Sequence, residues 1–356
     1  MLVAEAVIQA LKEEGTERVF SLMDVYNMDL LQALEAQKTT IIRGRHEHGV
    51  VLMADGYARV SGRPGICSIG AGPALTQIGT ALTTVKRHGS PVLVIFVDTP
   101  KGDRHNLKIF DARPFVEAMG AHFVAAASPR SVKADVQRAF RLLRSGAGPV
   151  VLSLPLDVLN QNLEAEWKYE ATEVPDQRIQ PAAEAVEYAA ILLKGAKRPV
   201  ILAGKGAVAS GAREQIEALA DRVGALLATT LQAKDYFGEH PFAIGISGSF
   251  ASDAGVTLLR EADCILGFGA SLNRFTTEDG SMFPKAAVIH VDRDASVIGE
   301  TTAVRLGIWG DARATAEALT GHLEREGGPQ KLGFRFAETK ATIAASRAKK
   351  GGPGDS

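Results

Sequence analysis

The amino-acid sequence predicts an α/β protein with two doubly wound domains whose sheets are mostly parallel. Segments with helical periodicity alternate with short runs of β-branched and aliphatic residues along most of the chain. A polar, proline-containing stretch at 159–182 interrupts this alternation, and we interpret it as a linker. At 356 residues the chain is long enough for two domains. We therefore place the domains at 1–158 and 183–325, followed by a tail at 326–356.

The order of the predicted elements supports this division. In the first domain we predict helices at 4–14, 28–36, 76–86 and 132–145, and strands at 18–22, 40–43, 65–69, 91–97 and 149–154. In the second domain we predict helices at 182–195 and 212–223, and strands at 199–203, 226–231, 264–268 and 287–291. Within the tail, 331–350 can form a helix and 351–354 is expected to be disordered.

Composition narrows the class of protein. The chain is 46% hydrophobic and 23% charged, which is typical of a folded globular protein. A formal net charge of −1 indicates neither a nucleic acid nor a membrane surface as partner. No signal peptide opens the chain and no apolar run is long enough to span a membrane, so we expect a cytoplasmic protein. Cys67 and Cys264 lie in apolar strand-like runs and are predicted to be buried thiols.

Glu47 is the most informative charged residue. It lies where a predicted strand gives way to a helix with an apolar run at 50–53. Ala54, Gly56 and Ala58 give that helix a face of small residues. A carboxyl group at this junction is expected to point into a helix–helix contact or a cleft, where it can exchange a proton with a ligand. Considered alone, Glu47 also fits a first-turn acid stabilised by the helix dipole.

Three further blocks follow the motif Arg-His-Glu-His-Gly of 45–49. They are Gly-Ala-Gly-Pro-Ala-Leu-Thr-Gln at 70–77, Ser-Pro-Val-Leu-Val-Ile at 90–95, and the strand-like 148–158. Together these blocks resemble the pyrimidine-binding domain of thiamine diphosphate enzymes of the acetolactate synthase and benzoylformate decarboxylase type. The segments 198–200, 262–263, 267–270 and 290–292 extend the resemblance to the Rossmann-like central domain of that family.

The resemblance implies roles for particular residues. Glu47 is implied as the catalytic carboxylate that hydrogen-bonds the aminopyrimidine of thiamine diphosphate. The loop at 70–77 is implied to pack beside the cofactor, so its candidate cofactor-binding residues are Gly72, Pro73, Ala74 and Gln77. The family usually has glycine where Ala74 stands.

Two other segments are implied to line the same pocket. Met23 and Asp24 stand where the family usually has proline and glycine, and we take them as cofactor-binding candidates that alter the pocket. The wall beside them is predicted to include Tyr26, Asn27 and Met28. Some decarboxylases of the family place catalytic histidines in the region of His105, so His105 is a substrate-side catalytic candidate.

The implied activity is thiamine diphosphate-dependent decarboxylation or carboligation of 2-oxo acids. Full-length family members carry a third domain whose Gly-Asp-Gly motif binds Mg²⁺ and the diphosphate, and Gly310-Asp311-Ala312 lacks the last glycine. We therefore predict no metal ligands in this chain and no activity of the chain alone. We expect a homo-oligomer, a second subunit carrying the missing domain, or a longer polypeptide.

Two further hypotheses are open from the sequence. A non-catalytic scaffold or regulatory subunit would explain the departures at Met23 and Asp24. A nucleotide-binding protein would use Gly204-Lys205-Gly206 after a strand, but it leaves the block around Glu47 unexplained. Some members of the resembled family bind FAD in the central domain, and FAD is an additional cofactor candidate here.

Overall fold

The protein is described from a computed structural model, at residues 1–103, 105–146, 148–164, 166–172, 178–238, 240–327, 330 and 332–350. The chain divides into two compact units, Met1–Val174 and Pro175–Ser356. Parts of the predicted linker (165 and 173–177) and of the predicted tail, including the segment expected to be disordered, lie outside the described residues.

The first unit alternates helices with strands. Its helices are α1 (Val3–Glu13), α2 (Met28–Ala36), α3 (Glu47–Ser61), α4 (Pro73–Thr76), α5 (Gly79–His88), α6 (Ala112–Ala118), α7 (Val132–Arg144) and α8 (Leu156–Leu159). Its strands are β1 (Arg18–Ser21), β2 (Thr40–Arg43), β3 (Gly65–Ile69), β4 (Val92–Asp98), β5 (His122–Ala125) and β6 (Val150–Pro155). They form one sheet in the order β2-β1-β3-β4-β6-β5, with parallel pairing throughout.

Alternating side chains give this sheet two apolar faces. On β1, Val19 packs into a cluster with residues of α1, α2 and α7, whereas Phe20 packs into a second cluster with residues of α3, α5 and α6. Burial on both faces is what a parallel sheet covered by crossover helices requires. The predicted fold class is therefore confirmed for this unit.

Helix α3 lies unusually close to the sheet. A Cβ atom built on Gly65 would come within 2.1 Å of the carbonyl oxygen of Ala54, so only glycine fits at this point of β3. Ala54 and Ala58 are buried one helical turn apart, whereas Gly56 is exposed. The small face of the helix is therefore formed by the two alanines, and the prediction that Gly56 shares it is wrong, because residues two apart on a helix point in different directions.

The second unit repeats the architecture. Its helices are α9 (Ala183–Gly195), α10 (Lys205–Ala209), α11 (Arg213–Val223), α12 (Asp253–Glu261), α13 (Arg274–Thr277), α14 (Ala312–Arg325) and α15 (Ala337–Lys350), with short 3₁₀ turns at Leu231–Ala233 and Ala295–Val297. Its strands are β7 (Pro199–Ala203), β8 (Leu226–Thr229), β9 (Ala243–Ile246), β10 (Cys264–Phe268), β11 (Ala287–Asp292) and β12 (Leu306–Trp309). They form a second parallel sheet in the order β12-β11-β10-β7-β8-β9.

Candidate active site

The strand order of the first sheet creates a crevice at the carboxyl ends of β1 and β3. The chain passes from β1 to β2 on one side and then returns to β3 on the other, so the connections leave in opposite directions. Open parallel sheets bind ligands at such a reversal. The loops that meet at this edge begin at Leu22, Gly44 and Gly70, after β1, β2 and β3 respectively.

Glu47 is the first residue of α3, directly after the loop that leaves β2. Its side chain is half-buried, and within the described part of the chain its carboxylate has no hydrogen bond or ion pair. His46 occupies the N-cap position, where its Nδ1 atom accepts a hydrogen bond from the His48 backbone N–H at 3.2 Å. His46 therefore supports the start of the helix, and the carboxylate of Glu47 is left available to a ligand.

The loop after β3 is shaped by close contacts. A Cβ atom on Gly70 would lie 2.5 Å from the Cγ atom of Asp24, and one on Gly72 would lie 2.4 Å from the carbonyl oxygen of Lys108. Gly72 also has φ of +62°, in the region that favours glycine. Of the other predicted cofactor-binding residues here, Ala74 is buried, while Pro73 and Gln77 are exposed.

Asp24 replaces a glycine of the family pattern and contacts two loops. Its Oδ2 atom lies 2.6 Å from Nζ of Lys108, and its Oδ1 atom accepts a hydrogen bond from the Tyr26 backbone N–H at 3.0 Å. Lys108 Nζ also lies 4.9 Å from the centroid of the Tyr26 ring. Met23, by contrast, is 56% exposed.

Asn27 is fully buried and holds the exit of β1. Its Oδ1 atom accepts from the Asp24 backbone N–H at 2.7 Å. Its Nδ2 atom donates to the carbonyl of Leu22 at 3.1 Å and to Oγ of Ser68 at 3.2 Å. The side chain therefore does not form the pocket wall that the sequence predicts. Instead, its buried hydrogen bonds hold the loop after β1 in place. Met28 is partly exposed, at 36%.

The loop after β4 brings residues that sequence reasoning missed. Lys108 reaches Asp24 across 84 positions of sequence, and Asn106 donates from Nδ2 to the Tyr26 hydroxyl at 2.9 Å. No local pattern around Lys108 points to this contact. His105 lies on the same loop and is exposed, and its predicted catalytic role stays a prediction.

The second sheet has its own reversal, between β7 and β10. The glycines that were candidates for a phosphate cradle are used there in packing. Cβ atoms on Gly204 and Gly206 would come within 2.2 Å and 2.7 Å of backbone atoms of Gly269, and the Gly206 N–H donates to the Gly269 carbonyl at 2.9 Å. The loop geometry therefore does not support a phosphate-binding site at these glycines.

Cys67 and Cys264 are buried free thiols, as predicted, and burial raises the pKa of both. Within the described ranges no cluster of three or more histidine, cysteine or acidic side chains is arranged to hold a metal ion. Among the same residues, no helix has the length and apolar character needed to cross a membrane.

Comparison with known proteins gives matches over both units. The N-terminal thiamine pyrophosphate-binding domain matches residues 1–121, and the central domain of thiamine pyrophosphate enzymes matches residues 186–319. The chain is 31% identical to a probable 2-ketoarginine decarboxylase of Pseudomonas aeruginosa, covering 97% of this chain and 62% of the relative. It is 32% identical to a probable acetolactate synthase large subunit of Methanocaldococcus jannaschii, covering 87% and 54%.

A sulfoacetaldehyde acetyltransferase of Rhodobacter capsulatus is 30% identical, over 96% of this chain and 59% of the relative. The first unit is a parallel α/β domain with a carboxylate after β2 and a glycine loop after β3, and it falls in the region that matches a thiamine pyrophosphate-binding domain. The chain belongs to the thiamine diphosphate-dependent enzymes, through their N-terminal and central domains. It spans about 54–62% of the length of these three relatives.

The residues present fit the pyrimidine end of thiamine diphosphate. Glu47 offers a half-buried carboxylate without a partner among the described residues, at the same sheet edge as the glycine loop. A carboxyl group of this kind is suited to share a proton with a weakly basic ring nitrogen. Gly70 and Gly72 let backbone from neighbouring loops approach closely at the same edge.

Proposed function

We propose that this chain supplies the pyrimidine-side half of a thiamine diphosphate site acting on 2-oxo acids, by decarboxylation or carboligation. The observation that carries the proposal is the carboxylate of Glu47, unpartnered among the described residues at the β1–β3 crevice. The family membership and the decarboxylase, synthase and acetyltransferase names of its relatives support the reaction class. In the proposed site Glu47 is the catalytic residue. The cofactor is bound beside it by Gly72, Pro73, Ala74 and Gln77.

Thiamine diphosphate, when bound, supplies the electron sink for chemistry at the oxo carbon. The chain's own residues would bind and orient the cofactor. Glu47 would hold a proton between its carboxylate oxygen and a ring nitrogen, with its position fixed by the start of α3 and the His46 cap. The loop at Gly72 would set the distance between backbone and ligand.

The remaining part of the site is proposed to come from outside the residues of this chain. Mg²⁺ and the diphosphate would be held there, by a further domain of a longer polypeptide or by a second subunit, in a homo- or hetero-oligomer whose native mass distinguishes these arrangements. FAD is not included in the proposal, because the glycines at Gly204 and Gly206 are closed against Gly269.

The test is Glu47→Gln in the holoenzyme. We expect kcat to fall about 10²–10⁴-fold, the range of general acid–base contributions, with an unchanged urea midpoint. Glu35→Gln is the matched control, since Glu35 is an exposed acid paired with Arg43 at 2.9 Å. Turnover of the Glu47 variant within about threefold of wild type would exclude the catalytic role.

One observation favours a second candidate, a non-catalytic scaffold or regulatory subunit. Asp24 fills the space in front of Gly70, where the family pattern has a smaller residue. In a scaffold, thiamine diphosphate-dependent turnover of the complex would persist in the Glu47 variant but would be lost when this chain is withheld. The same holoenzyme assay therefore separates the two candidates.

A further inference from the structure

The loop after β4 brings a lysine into direct contact with the glycine loop. The carbonyl oxygen of Lys108 lies 2.4 Å from the position of a Cβ on Gly72, and the Cβ atom of Lys108 itself lies 2.9 Å from it. The backbone N–H of Lys108 donates to Oδ1 of Asn106 at 3.0 Å, which fixes the turn that delivers the residue. Lys108 is therefore a neighbour of the crevice by its backbone as well as its side chain.

The ammonium group of Lys108 retains hydrogen-bonding capacity. It has three N–H donors, and its polar partner among the described residues is Oδ2 of Asp24 at 2.6 Å, with the face of Tyr26 at 4.9 Å. The side chain is 34% exposed, so a ligand in the crevice can reach the group. A partly exposed ion pair of this kind contributes little to fold stability.

Asp24 is rigidly placed. Its backbone N–H donates to buried Asn27, its Oδ1 atom accepts from the Tyr26 backbone N–H, and its side chain is pressed against Gly70. The carboxylate thus holds the Lys108 ammonium against the loop after β1, beside Gly70. Because Asp24 neutralises only one side of the ammonium, an incoming anion can complete its coordination.

We propose that Lys108 binds the carboxylate of the 2-oxo acid substrate and that Asp24 is the residue that positions it. The proposal rests on the proposed function, since a 2-oxo acid always carries a carboxylate next to its reacting carbon. It names Lys108 as a specificity-determining residue that favours anionic substrates over uncharged carbonyl compounds of the same shape. Lysine recognises such an anion as a point charge.

The experiment compares a charged probe with its uncharged match. In the holoenzyme, steady-state kinetics are measured with pyruvate, 2-oxobutyrate or whichever of a panel of 2-oxo acids is used best. Inhibition is measured with the amide of the same acid, which has the same shape without the charge. The variants are Lys108→Met, Lys108→Arg and Asp24→Asn. The control is Lys101→Met, on the same loop, where the ammonium instead contacts the carbonyl of Ala127.

In Lys108→Met we expect KM for the acid to rise about tenfold or more, as for loss of a charge-assisted hydrogen bond. We expect kcat within about threefold and an unchanged inhibition constant for the amide. Lys108→Arg should recover most of the affinity, Asp24→Asn should raise KM less than Lys108→Met, and Lys101→Met should match wild type.

An unchanged KM in Lys108→Met, or equal weakening of acid and amide, would overturn the proposal by assigning the lysine a purely structural role. This failure is distinguishable from failure of the proposed function. In the first case Glu47→Gln still abolishes turnover of the acid, whereas in the second the Glu47 variant turns over like wild type.

Discussion

Asn27, which follows β1, and Ser68, on β3, are buried side chains joined by a hydrogen bond of 3.2 Å from Asn27 Nδ2 to Ser68 Oγ. Oγ of Ser21, on β1, donates in turn to the Ser68 carbonyl at 2.9 Å. This buried polar cluster links the loop after β1 to β3, at the sheet edge where the candidate site lies. Buried polar groups that are fully paired in this way hold a single backbone arrangement.

Replacement of Asn27 by alanine should destabilise the first unit. The change leaves the Asp24 N–H and the Leu22 carbonyl without their buried partner, so we expect the free energy of unfolding to fall by about 2–3 kcal/mol. Urea denaturation is the measurement. Asn106→Ala is the control, because the bonds of Asn106 to the Tyr26 hydroxyl and to the Lys108 backbone N–H are only partly buried, so their loss should cost less than about 1 kcal/mol. Equal losses in the two variants would contradict the assignment.

The contact between β3 and α3 predicts opposite effects for two glycine substitutions. Gly65→Ala would force a methyl group against the Ala54 carbonyl, so we expect a loss of about 2–4 kcal/mol in unfolding free energy. Gly56→Ala has open space around its new methyl group within the same helix, and should gain about 0.5–1 kcal/mol. Thermal unfolding of both variants checks this; a neutral Gly65→Ala would show that the helix can move away.

Tyr169 predicts a dependence of stability on alkaline pH. Its hydroxyl donates to Oε1 of Glu14 at 2.7 Å, and Glu14 is paired with Arg144. Burial, followed by the bond to Glu14, raises the pKa of Tyr169 above its ordinary value of 10.0. A raised folded pKa means that the tyrosine's stabilising contribution is complete below pH 10 and is lost as pH rises beyond it.

The measurement is the urea midpoint of wild type and Tyr169→Phe between pH 8 and pH 11, about the pKa of free tyrosine. Wild type should lose stability more steeply than the variant above pH 10. Parallel pH profiles for the two proteins would refute the prediction.

His290 predicts an effect at acidic pH in the second unit. It is 1% exposed, and burial lowers its pKa from 6.5. Below pH 6.5 the unfolded chain takes up a proton that the folded chain resists, so the free energy of unfolding should fall as pH drops through and below this value. His290→Gln should flatten the profile between pH 7 and pH 5, on either side of the ordinary histidine pKa. An equally steep profile in the variant would show that other groups cause the acid sensitivity.

Hydrophobic periodicity predicted the central strands well, because they are buried on both faces. The central strands Gly65–Ile69, Pro199–Ala203 and Cys264–Phe268 have the predicted bounds, and so does one edge strand, Thr40–Arg43. The edge strands His122–Ala125, Ala243–Ile246 and Leu306–Trp309 were not predicted. Two of these, at 122–125 and 306–309, are mostly half-buried or exposed, so their sequences lack a continuous apolar run.

Candidate site residues can be predicted where a short motif marks them and not where distant segments meet. The sequence around Glu47 is enough to predict it as a site residue, and its catalytic role stays a prediction. Asn27 was predicted in the pocket wall; it occupies the N-cap position of α2, but its side chain makes no cap bond and instead donates to Ser68. The contact of Asp24 with Gly70 explains why residue 70 is glycine, which the sequence alone did not show. Lys108 is indistinguishable from a solvated lysine until the fold brings it to Asp24.

The absence of a side chain at Gly65 also affects how accurately the carboxylate of Glu47 is placed. Ala54 lies seven residues, or about 10 Å of helix, beyond Glu47. The contact of Ala54 with Gly65 therefore holds α3 near its middle and fixes the position of its first turn. A displacement of about 1 Å at this contact would move Glu47 by a similar distance, and misplacement of a catalytic group by that much can cost about a hundredfold in rate. A glycine on β3 thus fixes the position of the proposed catalytic group two helical turns away.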